Sequence, residues 1–219
     1  MKNENWLRRW KQEAIGFHQD QINPYLRQYW PALNLSSGSE VFVPLCGKSR
    51  DMLWLRQQAH AVLGVELSPI AVQAFFRENN HTPQRIARRS FDQFETTDIR
   101  ILCGDFFDLS KADLAKISAV YDRASLVALP PAIRKHYVRH LLHILPPATQ
   151  ILLITFDYPQ TEMSGPPFSV TPDEVTALYH EHVEIKLLTQ CDVLAQNPRF
   201  QKRGLSRAQE SIFMLTLPD

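Results

Sequence analysis

The chain has 219 residues and is 44% hydrophobic, which is enough for one sizeable core, and no linker-like stretch or internal repeat divides it. Its 24 basic and 23 acidic residues leave a net charge of +1, so composition does not favour nucleic acid or an anionic membrane as a partner. The sequence has no membrane-spanning apolar run and no signal-peptide core, and its three scattered cysteines match neither a disulfide framework nor a zinc motif. These features predict a single cytoplasmic domain over residues 1–219.

The first predicted unit is a strand, a tight turn, a helix and a second strand. An apolar strand over 41–45 ends in a turn at Gly47, Ser49 is placed to cap the following helix, and a buried strand follows over 61–67. Glu66 comes nineteen positions after Gly47. That is about where a βαβ unit places the acid that accepts hydrogen bonds from a ribose diol.

The glycine content of this turn indicates which nucleotide it binds. A pyrophosphate-binding turn needs several glycines, because backbone amides reach the phosphates only where side chains are absent. This turn has only Gly47, followed by Lys48 and Ser49. S-adenosylmethionine has a ribose but no phosphate, so the pattern favours that cofactor over NAD. An NAD-linked oxidoreductase on the same architecture stays open as an alternative.

The predicted elements continue to alternate along the chain. Helices are predicted from Ser68, from Pro131 and from Thr171, which is placed to form a capping box with Glu174. Further strands are predicted over 99–103, 119–121, 150–156, 182–188 and 211–217, the last two nearer a sheet edge. This alternation predicts an α/β fold with a mostly parallel sheet and helices on both faces.

Polar and aromatic residues follow several of the predicted strands, at the sheet edge where such folds bind ligands. Glu66 and Asp105 are placed to hold a ribose and the edge of an adenine, with Phe106 against its face. Arg123 also follows a buried strand, where a cation needs an anionic or electron-rich partner. That partner is either a ligand or an internal acid such as Asp122, and the residues alone leave both interpretations open.

Five short motifs stand in order along nearly the whole chain. They are Trp10 with Gly16-Phe17-His18-Gln19, Pro44-Leu45-Cys46-Gly47-Lys48, Gly64-Val65-Glu66, Tyr121-Asp122-Arg123 and Gly165-Pro166-Pro167-Phe168. Together they resemble the thiopurine S-methyltransferase family in its compact bacterial form. The resemblance implies a Rossmann-like class I methyltransferase fold with a mostly parallel seven-stranded sheet and S-adenosylmethionine as the methyl donor.

The resemblance also implies roles for individual residues. The cofactor-binding residues that it implies are Trp10, Leu45, Glu66 and Arg123, with Asp105 and Phe106 where family members meet the adenine. The residues that it implies for the acceptor pocket are Phe17, Pro167 and Arg199.

Methyl transfer from a sulfonium to sulfur is an in-line displacement, so proximity and a water-free pocket supply most of the acceleration, and we expect no metal. An aromatic thiol ionises readily, and the guanidinium of Arg123 or Arg199 would favour the thiolate. We take Arg123 as the expected catalytic residue. The expected acceptors are thiopurines, other aromatic or heterocyclic thiols, and reduced selenium and tellurium species, as in tellurite detoxification. A non-catalytic cofactor-binding module is a further alternative.

The amino-terminal segment is rich in aromatic residues. Residues 1–35 are predicted to form a helical lid that closes over the ligands, ahead of an α/β core over 36–219. The other interpretation is an amphipathic helix that uses Trp6 and Trp10 as ordinary core residues. We expect a monomer whose partner is a small-molecule thiol.

Overall fold

The computed structural model describes residues 3–16 and 18–219, which form two compact units. The first unit comprises Met1–Tyr121 with Ile144–Pro146, and the second comprises Asp122–His143 with Pro147–Asp219. Across the residues described, no helix combines the length and the apolar character that crossing a membrane requires.

The described part of the first unit contains four α-helices, five complete strands and most of a sixth strand. The helices are α1 (Asn3–Lys11), α2 (Pro24–Tyr29), α3 (Asp51–Gln57) and α4 (Pro69–Glu78), and the strands are β1 (Glu40–Val43), β2 (Ala61–Glu66), β3 (Gln84–Ala87), β4 (Asp92–Glu95), β5 (Ile99–Cys103) and β6 (Ile117–Asp122). The second unit contains α5 (Ser125–Ala128), nearly all of α6 (Pro131–Ile144), β7 (Gln150–Asp157), α7 (Pro172–Tyr179), β8 (Glu184–Asp192), α8 (Pro198–Lys202) and β9 (Gln209–Thr216).

In the first unit the strands lie in the order β3-β4-β5-β2-β1-β6. Strands β5, β2, β1 and β6 are parallel, and Val41 of β1 is paired with Val62 of β2. Both valines are almost fully buried, as expected for parallel strands that are covered on both faces. The carboxyl ends of β1, β2 and β5 lie at the same edge, so the residues that follow them are brought together.

In the second unit β9 lies between β7 and β8, and both pairings are antiparallel. The prediction that residues 211–217 form a strand nearer the sheet edge is confirmed, since only β8 separates β9 from that edge. The β9 side chains Ile212, Phe213 and Leu215 are buried. Strand β8 has mostly exposed and half-buried residues and fits the edge position that its alternating pattern predicted.

The described residues contain nine strands in a mixed arrangement, so the prediction of a mostly parallel seven-stranded sheet is wrong in strand number and direction. The extra pair in the first unit, β3 and β4, is an antiparallel hairpin joined to β5. Only Ile86 of β3 is partly buried. A strand that buries so little apolar surface produces no hydrophobic pattern for sequence analysis to detect.

The predicted helix starts are confirmed at three of four places, including Pro131, where α6 begins. Ser68 caps α4 by accepting a hydrogen bond from the N–H of Ala71, and Thr171 caps α7 by accepting from the N–H of Glu174. The Glu174 carboxylate is bonded by Arg134 at 2.6 and 2.7 Å. Ser49 does not cap α3, which begins two residues later; its hydroxyl accepts from the Asp51 N–H.

Candidate active site

The turn after β1 has a strained backbone. Leu45 has φ of 46° and Gly47 has φ of 54°. A bulky residue such as leucine is rare in this left-handed region, and the strain is of the order of 1–3 kcal/mol. Such strain is retained where the surrounding structure fixes the turn. The turn lies at the carboxyl end of a parallel strand, where α/β sheets bind their ligands.

Glu66 is the acid at the end of β2, and its buried carboxylate is bonded by the main chain. The Gly47 N–H donates to Oε2 at 2.9 Å, and the Ser68 N–H donates to Oε1 at 2.8 Å. Burial raises the pKa of Glu66 to about 7, while the backbone amides of Ser68, Gly47 and Leu67 act to lower it. Each oxygen keeps a further lone pair. The carboxylate is therefore fixed in place and still able to accept hydrogen bonds from a ribose diol.

The same turn offers few donors to a pyrophosphate. The N–H of Cys46 is bonded to the Val65 carbonyl, the N–H of Gly47 to Glu66, and the N–H of Ser49 to the Cys46 carbonyl. A turn whose amides are satisfied internally does not form an anion-binding nest.

The lysine of this turn is also engaged. Lys48 Nζ donates to both carboxylate oxygens of Glu78 at 2.8 Å. These contacts fit a nucleoside cofactor without phosphate, such as S-adenosylmethionine, and disfavour NAD.

Two glycines allow close packing around Glu66. A Cβ on Gly64 would lie 2.7 Å from Cys46 Sγ, so only glycine lets the turn rest on β2. A Cβ on Gly47 would lie 3.3 Å from Cζ2 of Trp10. Trp10 of α1 is 6% exposed and packs over the turn. The structure thus brings together Trp10, the turn that holds Leu45, and Glu66, three of the predicted cofactor residues.

Asp105 and Phe106 follow β5 next to this cluster. The Gly104 N–H donates to the main-chain carbonyl of Glu66 at 3.0 Å, which ties the two strand ends together. Asp105 Oδ1 accepts from the Phe107 N–H at 3.0 Å. Phe106 is 3% exposed and lies edge-to-face against Phe107, which is only half-buried. The surface that this pair offers to a ligand therefore belongs mainly to Phe107, a residue that sequence analysis did not single out.

Arg123 in the second unit does not form the internal pair considered above. The carboxylate of its neighbour Asp122 is buried and accepts from the Tyr137 hydroxyl at 2.6 Å and from the Ser125 N–H at 3.2 Å. Burial raises the pKa of Asp122, while the hydrogen bonds from Tyr137 and Ser125 act to lower it. Among residues 3–16 and 18–219, no side chain forms an ion pair or hydrogen bond with Arg123. Its guanidinium is available to a ligand.

The proline-rich loop is held in one shape by its neighbours. The Gly165–Pro166 and Pro166–Pro167 peptide bonds are both cis. A Cβ on Gly165 would lie 2.5 Å from the Phe168 ring, so a glycine is required there. The Tyr158 hydroxyl donates to the Pro167 carbonyl at 2.7 Å. Pro167, predicted to line the acceptor pocket, is therefore positioned by Tyr158.

Arg199 lies on the short helix α8 and is exposed, whereas the next residue, Phe200, is partly buried. The Phe200 ring stacks on Phe156 with centroids 4.9 Å apart. Both belong to an apolar cluster that includes Tyr158 and other residues of the second unit. Sequence analysis did not find Phe156 or Phe200, although Phe200 adjoins a predicted pocket residue. Phe17, predicted to line the same pocket, lies outside the described residues.

Comparisons with known proteins support the motif resemblance. The family described as Thiopurine S-methyltransferase (TPMT) matches residues 1–217. A thiopurine S-methyltransferase of Nitrosospira multiformis is 65% identical over 215 residues, covering 98% of both chains. One from Marinobacter nauticus is 47% identical over 216 residues, covering 98% of this chain and 99% of the relative.

Solved structures with a similar fold include methyltransferases of low sequence identity. The Burkholderia thailandensis 1,6-didemethyltoxoflavin-N1-methyltransferase with bound S-adenosylhomocysteine has a TM-score of 0.66 at 15% identity, over 99% of this chain and 87% of that one. The Haemonchus contortus phosphoethanolamine N-methyltransferase 2 has a TM-score of 0.67 at 7% identity, over 89% of this chain and 53% of that one. At these identities the likeness concerns the fold alone.

Proposed function

Because the chain belongs to the thiopurine S-methyltransferase family, we propose that it transfers the methyl group of S-adenosylmethionine to the sulfur of heterocyclic and aromatic thiols. The family prediction from the five motifs is confirmed, and the protein is a methyltransferase. Thiopurines are the acceptor class that we propose first. Reduced selenium and tellurium species, which are soft nucleophiles of the same kind, are proposed as further acceptors in detoxification.

The observation that carries this proposal is the buried carboxylate of Glu66, held by the N–H groups of Gly47 and Ser68. An acid fixed in this way accepts the two ribose hydroxyls without having to reorganise. We assign Trp10 and Leu45 to the rest of the cofactor, and Asp105 with the adjacent Phe106–Phe107 pair to its adenine. S-adenosylmethionine supplies an electrophilic methyl group, and the chain supplies binding, orientation and exclusion of water.

For the acceptor we propose contacts from the second unit. Arg123 forms no ion pair or hydrogen bond with the described residues and would favour the thiolate form of the acceptor. Pro167 and Arg199 are the residues of this unit that we propose for the acceptor pocket. Displacement at a methyl carbon needs no general acid for the leaving group, because the departing thioether is neutral. Arg123 therefore acts by charge and hydrogen bonding.

We also propose that the amino-terminal segment closes over the ligands as a lid. This segment carries Trp6, which is only half-buried and leaves apolar surface for a ligand to cover, and Trp10, which packs over the turn after β1. Amide exchange with and without S-adenosylhomocysteine measures this closure, and we expect protection of residues 6–19 to increase on binding. Equal and strong protection in both states would leave the tryptophans as ordinary core residues. The protein is proposed to work as a single-domain cytoplasmic monomer.

Two measurements test the function. Calorimetric titration is expected to show binding of S-adenosylmethionine and S-adenosylhomocysteine but not of NAD; binding of NAD alone would favour the oxidoreductase alternative. Mass spectrometry is expected to show S-methylated product from 6-mercaptopurine. Cofactor binding without turnover of any thiol, selenol or tellurite-derived species would instead indicate a non-catalytic module.

A further inference from the structure

Glu210 places a carboxylate on an apolar face of the second unit. It lies in β9 opposite Phe156 of β7 and Cys191 of β8. Directly opposite residues of antiparallel strands project to the same face, so these three side chains form one row. Phe156 belongs to the apolar cluster against which Cys191 and Phe200 pack. The carboxylate therefore emerges between apolar and aromatic groups, in an environment that would ordinarily hold a hydrophobic side chain.

No residue that the structure describes donates a hydrogen bond to the side chain of Glu210. None of the described residues forms an ion pair with it. Burial raises its pKa, and the guanidinium of Arg123 lowers it, so the two groups lie close enough for their charges to interact. They do not form an ion pair with each other. A partly buried carboxylate without a donor costs free energy, and such groups are found where a ligand supplies the donor.

The two groups complement one chemical feature of a thiopurine. In its thione form a thiopurine is a cyclic thioamide, with an N–H donor on the ring atom next to the C=S carbon. This inference rests on the proposed function. We propose that Glu210 accepts a hydrogen bond from this ring N–H and takes up its proton during methyl transfer, while Arg123 contacts the sulfur. Glu210 is then a catalytic residue that favours heterocyclic thiones over aromatic thiols without a ring N–H.

The atoms and charges of this step balance. The sulfur forms a bond to the donor methyl carbon while the carbon–sulfur bond of the sulfonium breaks, which leaves a neutral thioether. The electron pair of the ring N–H bond becomes part of a ring C=N bond. The proton passes to the Glu210 carboxylate and from there to water. With thiophenol as the acceptor there is no ring proton to remove, and Glu210 has no part in the reaction.

Three acceptors that differ in one ring atom test the proposal. They are pyridine-2-thione, with an N–H next to the thione carbon, pyridine-4-thione, with an N–H across the ring, and thiophenol, with none. We expect Glu210→Gln to lower kcat/KM for pyridine-2-thione by about 100-fold, the lower range of general-base contributions. The value for thiophenol should be unchanged and that for pyridine-4-thione intermediate. The Kd of pyridine-2-thione, titrated into the complex with S-adenosylhomocysteine, should also rise.

Two further variants separate this role from a structural one. Glu210→Asp keeps a carboxylate and should retain a preference for pyridine-2-thione over thiophenol. This variant provides the test if Glu210→Gln fails to fold. Glu184→Gln removes an exposed carboxylate from β8 of the same sheet and should change nothing. An equal loss for all three acceptors, or no loss for any, would overturn the inference. If the wild-type protein methylated none of them, the proposed function would fail, and an unchanged Kd in Glu210→Gln would separately overturn the role of Glu210.

Discussion

Two carboxylates, one in each unit, differ in whether the protein supplies hydrogen-bond donors to them. Glu66 of the first unit is bonded by the N–H groups of Gly47 and Ser68, whereas the described part of the second unit supplies no donor to Glu210. A carboxylate held by the main chain has its geometry before any ligand binds. One without donors depends on a ligand to supply them. The chain therefore preorganises its cofactor residues and leaves its acceptor residues to be completed by the substrate.

The largest effect is expected where a substitution would disturb the preorganised turn. In Gly64→Ala the new methyl group would lie 2.7 Å from Cys46 Sγ and 3.3 Å from Met52 Sδ. We expect the free energy of unfolding, measured with denaturant, to fall by about 1–3 kcal/mol, as for other overpacked cores. The Kd of S-adenosylmethionine should rise more than in any other variant, because the displaced turn moves the Gly47 amide away from Glu66.

Two variants control for this prediction. Gly38→Ala has no atom within 4 Å of its new methyl group and tests strain alone, since Gly38 has φ of 82°. It should lower stability and leave the cofactor Kd unchanged. Cys46→Ala should restore part of the binding lost in Gly64→Ala, because it removes the clashing sulfur. A Gly64→Ala protein with wild-type affinity would show that the turn is not preorganised.

Glu66→Ala is expected to weaken S-adenosylmethionine binding by one to two orders of magnitude, since charge-assisted hydrogen bonds contribute about 1.5–3 kcal/mol. Titration calorimetry measures this loss. Glu40→Ala is the matched control, because that carboxylate lies at the amino end of β1 and pairs with Arg100 at 2.6 Å. It should affect stability but not the cofactor Kd. An unchanged Kd in folded Glu66→Ala would refute the ribose assignment.

Cofactor binding should be linked to protons through Glu66. Its pKa is about 7 in the folded protein against 4.5 for an ordinary glutamate, because burial favours the neutral form. The folded state thus keeps Glu66 protonated to a higher pH than the unfolded state does. The contribution of Glu66 to stability therefore falls as the pH rises from about 4.5 to about 7. Ribose hydroxyls favour the ionised form, so affinity should rise with pH through this range.

Calorimetry in buffers of different ionisation enthalpy measures that linkage. At pH 7 about half a proton should leave per cofactor bound, since a group with a pKa of about 7 is half protonated there. Glu66→Gln should abolish the release. A release that persists in this variant would have to come from another group.

Arg123→Lys tests the acceptor side of the comparison. A point ammonium does not reproduce a planar fork of donors, so we expect kcat/KM for 6-mercaptopurine to fall by about 10- to 100-fold, the equivalent of one charge-assisted hydrogen bond. Arg139→Lys, at an exposed position on α6, is the control and should leave kcat/KM unchanged. Full activity of Arg123→Lys would remove this residue from the site.

The two sides also differ in how far sequence predicted them. The cofactor side is local, because an apolar strand, a glycine turn and an acid lie within residues 41–66, and their order along the chain fixes their proximity. The acceptor side depends on the order of the strands in the sheet and on which residues of neighbouring strands are paired. Glu210 faces Phe156 and Cys191 only because β9 lies between β7 and β8. A carboxylate in an alternating strand is ordinarily predicted to be solvent-exposed, so no local pattern identified it.

The missed hairpin has a related cause. In this hairpin β3 contributes the partly buried Ile86, and β4 buries the polar Gln93 next to Phe94, so neither strand shows an alternating apolar pattern. Strand β4 pairs with β5, and β3 pairs with β4, through main-chain hydrogen bonds, which any sequence can form. Hydrophobic periodicity detects strands that bury apolar side chains, and it fails where the main chain supplies the interaction.

The smallest effect is expected for the loop that presents Pro167. Tyr158→Phe keeps the ring in the apolar cluster but removes the hydroxyl that donates to the Pro167 carbonyl at 2.7 Å. One such hydrogen bond contributes about 1 kcal/mol, so the KM for 6-mercaptopurine should rise roughly fivefold. Because the first unit is untouched, kcat and the cofactor Kd should stay the same.

Tyr179→Phe is the matched control, since no residue within 3–16 and 18–219 forms a hydrogen bond with its buried hydroxyl. Removing a hydroxyl that makes no hydrogen bond should leave KM unchanged and should not lower stability. If both tyrosine variants raised KM alike, loss of the Pro167 contact would not be the cause. If Tyr158→Phe weakened cofactor binding as much as acceptor binding, the loop would not be specific to the acceptor, and the division between a preorganised cofactor side and a substrate-completed acceptor side would fail.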